Sequence, residues 1–369
     1  MQITFRAIAE DVPDHKWRAV LDHHWHAYSR WFLREGDRAR PTYLASLRAL
    51  KAHMPELVPV YEKLVAVAGD GDVEARFLSM WCPPVYVGGC SQAIVTEPEA
   101  ALIRNYDYSP RLLEGTWLAT RLTGKRVVAV VDCLWGVLDG VNEDGLAVSL
   151  SFGGRTAAGP GFGIPVVLRY VLEFASSTAE AIEMLRRIPV HMSYSVALID
   201  RAGQPATVYV NPDRPTEVVA RRVSTNHQHG VEWARHAEAT RSLEREKALE
   251  KALAGQQTPQ AILAGFLRPP VYQTSYGRGY GTLYTALYRP QEASVELVWP
   301  GVVWRQSCAE FQEETRIIRF NDGESGGFAP IVNAPGGVTA HTRRREERDQ
   351  GASRALDEET RGKCTDADT

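Results

Sequence analysis

Apolar positions in the first quarter of the chain recur at steps of three and four. Trp17, Val20, Leu21, Trp25, Tyr28, Trp31 and Phe32 fall on one side of a helix, and Leu44, Leu47, Leu50, Met54, Leu57, Val60, Tyr61 and Leu64 repeat the pattern. This predicts helices between His15 and about Val67. GDGD at 69–72 breaks them, and a short further helix is expected over Val73 to Met80. Cys82-Pro83-Pro84 ends this part, because proline has no N–H to give and disfavours a helical residue before it. From Cys90 to about Arg319 the period shortens. Ala93–Val95, Ala101–Tyr106, Trp117–Thr123, Val127–Asp132, Trp135–Asn142, Leu146–Phe152, Ser195–Asp200, Ala206–Val210, Val218–Val223, Thr282–Tyr288 and Ser294–Val298 read as strands, many alternating apolar with polar or small residues. NEDG at 142–145 and DRAG at 200–203 are hairpin-type turns. Helical stretches at Pro165–Ala175, Ala179–Arg187 and Val231–Ala254 interrupt the series. Strand runs flanked by helical pairs predict a layered α+β fold, not alternating βαβ units.

Composition then narrows the class. Hydrophobic residues make up 44% and charged residues 24%, ordinary for a globular protein, and the formal net charge is -3. No global basic field draws the chain to nucleic acid or to an anionic membrane. No apolar run approaches the roughly 20 residues of a membrane helix, and MQITFRAIAEDVPDHKW lacks the layout of a secretory signal, so a cytoplasmic protein is expected. From Asp322 onward, low apolar content and dense charge predict a disordered tail; its RRREER run has Glu and Asp interleaved, as in a solvated tail. The five cysteines are few, odd in number and outside any CxxC pattern, so each is read as a free thiol. His23, His24 and His26 cannot all face one ion on a helix, and no metal or cofactor is called for.

Three polar clusters could carry chemistry. Gly88-Gly89-Cys90 places a thiol after two residues that admit unusual backbone conformations, as a strained Gly–Cys peptide would need for an N-to-S acyl shift. Cleavage would leave Cys90 with a free α-amine of pKa near 8, able to serve as base for the thiol. A structural cysteine after a glycine turn fits the same residues. Arg104-Asn105-Tyr106-Asp107 sets a cation and a carboxylate at a strand end, where they would tune a thiol and hold an ammonium, or form a plain ion pair. Ser224-Thr225-Asn226-His227 offers an amide donor for an oxyanion, or is a polar turn.

In this order GGCS, RNYD, DGVNEDGLAVSLSFGG and TNH, followed by GTLYTALYRP and VELVWPG, resemble the acyl-coenzyme A:6-aminopenicillanic acid acyltransferase family, relatives of the choloylglycine and penicillin V hydrolases, from about Pro83 to Gly301. The resemblance implies a four-layer αββα sandwich, the N-terminal-nucleophile hydrolase fold. Residues 1–89 would be a helical pro-segment, kept as a bound α chain, 90–321 the catalytic domain, and 322–369 the tail. Cleavage would fall between Gly89 and Cys90, making Cys90 the nucleophile and its freed amine the base. Arg104 and Asp107 would steady thiolate and amine, Asn226 would be the oxyanion amide, and a backbone N–H at Ser151-Phe152 the second donor. Arg278 matches a late active-site arginine. His227 would shape the pocket instead of acting as base. Trp135, Phe152 and Phe162, with the glycine-rich loop GGRTAAGPGFG, are candidates for the pocket wall, although that loop also fits a plain surface turn.

The function implied is a self-processing cysteine amidohydrolase or acyltransferase working through an acyl-cysteine. Small acyl amides or thioesters, acyl-coenzyme A among them, are the partners that follow, and a homo-oligomer is left open. The competing expectation is a non-catalytic ligand-binding protein on the same fold with a structural Cys90.

Overall fold

The computed structural model describes residues 1–255 and 258–321; the expected tail at 322–369 lies outside the described residues. Strand β1 (Gln2–Ala9) opens the chain, followed by helices α1 (His15–Phe32), α2 (Tyr43–His53), α3 (Val58–Ala68) and α4 (Asp72–Ser79). Strands β2 (Gly89–Val95), β3 (Ala101–Tyr108), β4 (Thr116–Thr120), β5 (Val127–Asp132), β6 (Gly136–Asn142) and β7 (Ala147–Phe152) come next. Then follow α5 (Ile164–Phe174), α6 (Thr178–Arg187), β8 (Tyr194–Ile199), β9 (Pro205–Val210), β10 (Glu217–Val219) and β11 (Val223–Ser224). The last part holds α7 (Ala234–Ala239), α8 (Ser242–Gly255), α9 (Pro259–Phe266), β12 (Gly281–Arg289), β13 (Ser294–Trp299), β14 (Val302–Ser307) and β15 (Glu314–Arg319).

These strands make two sheets in a mixed α+β fold. One has nine strands in the order β10-β9-β8-β7-β6-β5-β4-β1-β15, the other six in the order β11-β2-β3-β12-β13-β14. Helix α5 packs on β6; β7 and β8 face β2 and β3 across the space between the sheets; α8 and α9 pack on β2, β3 and β11. Alternation along β2 and β3 explains the arrangement. Cys90, Ile94, Leu102 and Tyr106 join the large core between the sheets, whereas Ala93, Val95, Ala101 and Ile103 join a second core with Leu249, Ile262 and Phe266 of α8 and α9.

Both hairpin turns form as expected, with left-handed Gly145 and Gly203. Other expectations are corrected. The pattern gave no strand at residues 2–9, 302–307 or 314–319; β1 lies in the larger sheet between β4 and β15, so the segment before Cys90 is not wholly helical. Val218–Val223 divides into β10 and β11, one in each sheet. Val231–Ala254 breaks into α7 and α8 at Arg241, whose φ is 53°. A further helix, α9, was not anticipated. Among the described residues no helix is long and apolar enough to cross a membrane.

Besides β1, which pairs with β4 and β15, the aromatic stripe of α1 helps to build the first 89 residues and to tie them to the rest. Trp25, Tyr28 and Phe32 ring Phe77 of α4 at 5.4, 5.1 and 5.7 Å. The Trp17 indole donates to the Leu134 carbonyl at 3.0 Å. The Tyr28 hydroxyl lies between two carboxyls, 2.8 Å from buried Glu114 and 2.6 Å from half-buried Asp132. Burial, with the Asp132 charge adding to it, pushes Glu114 up from 4.5 to about 7. The fold thus favours the protonated acid. Its contribution is fully present below the unfolded value and is lost as pH rises through the folded one. Thermal stability is expected to fall between about pH 5 and pH 8. Glu114→Gln keeps an acceptor for Tyr28 and Leu134 and should remove up to roughly 3 kcal/mol of that slope. Parallel melting curves for the two proteins across this range are the check; identical slopes would show that Glu114 ionises normally.

Candidate active site

Cys90 is the second residue of β2, in register with Tyr106 of β3, and Gly89 is in register with Asp107. Because side chains alternate across a strand, the two faces of β3 serve different parts of Cys90. Arg104 points with the thiol into the space between the sheets, and its Nη2 donates to Cys90 Sγ at 3.3 Å. Its Nη1 donates to the Tyr284 hydroxyl at 2.9 Å and pairs with Asp139 of β6. Tyr284 also donates to Asp139, at 2.6 Å, so the guanidinium is fixed from the far sheet. Burial pushes the thiol above its ordinary value of 9.0, and the Arg104 charge opposes that shift. The intact chain therefore holds a neutral thiol beside a cation able to stabilise the thiolate.

Asp107 points the other way, towards α8. Its carboxylate accepts from the Thr282 hydroxyl at 2.6 Å and from Arg245 at 3.3 Å. Burial raises its carboxyl above the ordinary 3.8, with the Arg245 charge pulling it back. Arg245 itself is fully buried. It donates to the Cys90 carbonyl at 2.5 Å, the Ser91 hydroxyl at 2.7 Å and Asn226 Oδ1 at 2.5 Å, and its Nε donates to the Thr240 carbonyl at 2.7 Å. Sequence reasoning missed this residue inside the charged run of α8. The available signal was its place one turn before buried Leu249, on the same stripe as Ser242.

Asn226 reaches Cys90 from 136 positions away. Its Oδ1 accepts the Cys90 backbone N–H at 3.0 Å, and its Nδ2 donates to the Phe152 carbonyl at 3.2 Å. The amide thus grips the nitrogen of the Gly89–Cys90 peptide while its donor end faces β7. Gly154 makes this approach possible: its φ is 70°, and a Cβ there would lie 2.2 Å from the Asn226 carbonyl oxygen. Along β7, Gly153 N–H bonds the Ser193 carbonyl, so Phe152, in register with Tyr194, is a non-bonded pair with β8. Its N–H and carbonyl both point away from β8, beyond Ser149, the last residue of that end of β7 in register with β6. That direction suits the expected second oxyanion donor.

Other predicted residues are placed differently. Ser151 Oγ donates to the Thr225 carbonyl at 2.9 Å and accepts from Gln92 at 3.0 Å, tying the TNH turn to the sheet. Phe152 meets His236 and Trp233 edge-on, at 5.0 and 6.2 Å, close to Gly88. Burial lowers His236 to about 4, so it is neutral. His227 turns to α8, with Ser242 at 2.8 Å and Glu246 at 3.0 Å, which engages both ring nitrogens. Trp135 and Phe162 do not stand at the thiol. Trp135 donates to the Leu78 carbonyl at 3.0 Å and lines a small void with Trp17 and Leu64; Phe162 packs on Trp81 at 4.8 Å and near His53. Both large rings are consumed in packing the first 89 residues onto the sheets. Arg278 is exposed on a short 3₁₀ turn, and the guanidinium on Asp107 and Asn226 is Arg245's.

The family model for acyl-coenzyme A:6-aminopenicillanic acid acyl-transferase matches residues 95–302, more than half of the chain, beginning five positions after Cys90. Among solved structures, penicillin V acylase from Agrobacterium tumefaciens is similar at 14% identity, over 59% of this chain and 86% of that one, with a TM-score of 0.42. A mutant of conjugated bile acid hydrolase from Clostridium perfringens gives 12%, 66%, 100% and 0.44, and the Caenorhabditis elegans ortholog of N-acylethanolamine-hydrolyzing acid amidase 16%, 63%, 100% and 0.43. No curated protein matches.

Proposed function

This chain belongs to the acyl-coenzyme A:6-aminopenicillanic acid acyl-transferase family, and on that premise we propose that it is a self-processing N-terminal-cysteine amidohydrolase or acyltransferase. The observation that carries the reading is the double hold on Cys90: Arg104 on the sulfur at 3.3 Å and Asn226 on the peptide nitrogen at 3.0 Å, directly after Gly89. In self-cleavage the thiol attacks the Gly89 carbonyl and the peptide nitrogen leaves as an amine. Water then releases Gly89 as a carboxylic acid. The new α-amine stays within reach of Asn226 and of the Asp107–Arg245 pair below β2.

On a substrate, the amine takes the thiol proton as sulfur attacks an acyl amide or thioester. The Asn226 amide and the Phe152 N–H receive the oxyanion; one such donor is worth about 3 kcal/mol. The leaving group, an amine from an amide or a thiol from a thioester, takes the proton back from the Cys90 ammonium. Water as second nucleophile gives hydrolysis, and an amine gives acyl transfer. Residues 1–89 remain as a bound α chain in this reading, because β1 is part of the larger sheet and the α1 stripe is buried. The packing of α5 on β6, of the two sheets on each other, and of α8 and α9 on β2, β3 and β11 supports an αββα layering.

Buried Cys90 is closed to substrate in the intact chain. Activity therefore depends on the cut. Intact mass of the purified protein is expected to give two species, residues 1–89 and 90–369, with Cys90 alkylated by iodoacetamide. One uncut species with an inert thiol would instead mark a binding protein with a structural cysteine.

A further inference from the structure

The intact chain carries its own acyl group beside the nucleophile, and the walls around that group are specific. A Cβ on Gly89 would come within 1.8 Å of the Tyr280 hydroxyl oxygen, 2.9 Å of that ring's Cζ and 3.3 Å of Asp107 Cβ. A Cβ on Gly88 would come within 3.2 Å of the Tyr108 ring. Neither glycine has the positive φ that would itself require glycine. Space, not backbone conformation, opposes a side chain at Gly89, whereas at Gly88 the Tyr108 ring would have to give by only a few tenths of an ångström. Tyr280 is not a loose arm. It directly precedes β12, whose Gly281 is in register with Tyr108, and its backbone N–H bonds the Ser275 carbonyl at 3.2 Å. Its hydroxyl is buried without a hydrogen-bond partner.

From this we infer that Tyr280 sets acyl specificity: the enzyme takes linear acyl groups with two hydrogens on the carbon next to the carbonyl, the N-acylglycyl type being the closest match. The inference rests on the proposed self-cleavage and acyl-cysteine. In self-cleavage a bond forms between Cys90 Sγ and the Gly89 carbonyl carbon, the Gly89–Cys90 C–N bond breaks, and the nitrogen takes the thiol proton. The product is a thioester of Gly89 on Cys90 Sγ, which water cleaves to an acid and a thiol. A substrate forms the same kind of thioester on the same sulfur, with its acyl group in place of Gly89. Its α-carbon then sits where the Gly89 α-carbon sat, against Tyr280, and the next atoms run where Gly88 ran, against Tyr108. A methyl branch at the α-carbon meets a ring held by two torsions only, and overpacking of this kind is costly.

The test uses processed full chain and two affinity labels, acetylglycyl and acetylalanyl chloromethyl ketone. In each, Cys90 displaces chloride from the methylene carbon and the thiol proton passes to solvent. Intact mass reads the rate of Cys90 alkylation. The glycyl reagent is expected to react at least about tenfold faster. Tyr280→Ala should bring the alanyl reagent close to the glycyl rate. A second readout works in cis: Gly89→Ala should slow self-cleavage by about tenfold or more, and Gly89→Ala with Tyr280→Ala should restore it. Equal alkylation rates in the unmodified protein, or Gly89→Ala cleaving as fast as the parent, would overturn the slot while leaving the cut chain and its reactive thiol in place. An uncut parent chain would instead sink the function on which the slot rests.

Discussion

Cys90→Ala is expected to give a single chain of 369 residues, fully folded and without amidase or acyl-transfer activity. The change removes one sulfur from a site whose other members stay in place. Arg104 keeps Asp139 and Tyr284, and Asn226 keeps the backbone N–H of residue 90. Stability should change little, since a small buried side chain is replaced by a slightly smaller one. Both chemical events need the thiol, so both should vanish together. Loss of self-cleavage with retained turnover would mean that another group is the nucleophile. The reverse outcome, an alanine chain that still splits at Gly89, would mean that the peptide is cut by a separate protease. Cys90→Ser separates the steps: a hydroxyl is the weaker nucleophile, and slow cleavage over hours is the expected result.

The second large effect is expected from Arg245→Met. This side chain of nearly equal length removes the charge that sits on Asp107, Asn226, Ser91 and the Cys90 carbonyl. Asp107 would be left as an unpaired buried carboxylate, and breaking a buried pair in this way costs about 3–5 kcal/mol. The carboxyl would take up a proton instead of remaining charged, since burial already pushes it upward. Asn226 would lose one of the donors that orient its amide, and a misplacement of this order lowers rates about 100-fold. Denaturant unfolding and the rate of self-cleavage are the two measurements. Adding Asp107→Asn should recover much of the stability without recovering cleavage, because it removes the stranded charge but not the misorientation. Arg245→Lys should fall between the parent and Met, as one ammonium cannot reach five acceptors in different directions. Unchanged cleavage in Arg245→Met would reduce this arginine to a packing element.

Much of the local structure was legible along the chain. The three-and-four stripe of α1 and the alternation in β3, β5 and β7 are short-range properties, set by which residues must leave water. GGC, RNYD and TNH could be picked out as polar groups at strand ends, and their order carried the family resemblance. That Cys90, Arg104, Asp107 and Asn226 meet is a statement about register, and the pairing of Cys90 with Tyr106 decides it. One residue of slip would turn the thiol away from Arg104 and towards α8. Arg245 was hidden because an arginine in a run of Glu and Lys looks solvated until a partner surface buries it. Leu243 shows the converse: an apolar side chain on the same helix is 58% exposed, because the face of α8 that docks carries Ser242, Arg245 and Leu249.

The doublet before Cys90 changed meaning in the same way. In the sequence, two glycines suggested backbone freedom. In the fold, neither uses a left-handed conformation, and what opposes a side chain at Gly89 is the approach of Tyr280 from far along the chain. Sequence alone therefore determined most of the elements, the order of the polar clusters and the position of the candidate nucleophile, because these depend on neighbours within a few residues. Only the tertiary structure decided which arginine serves which face, where Trp135 and Phe162 go, and how narrow the space beside the acyl carbon is. Those depend on contacts between segments up to 191 positions apart, as Gly89 and Tyr280 are, and no local pattern encodes which distant surface will arrive.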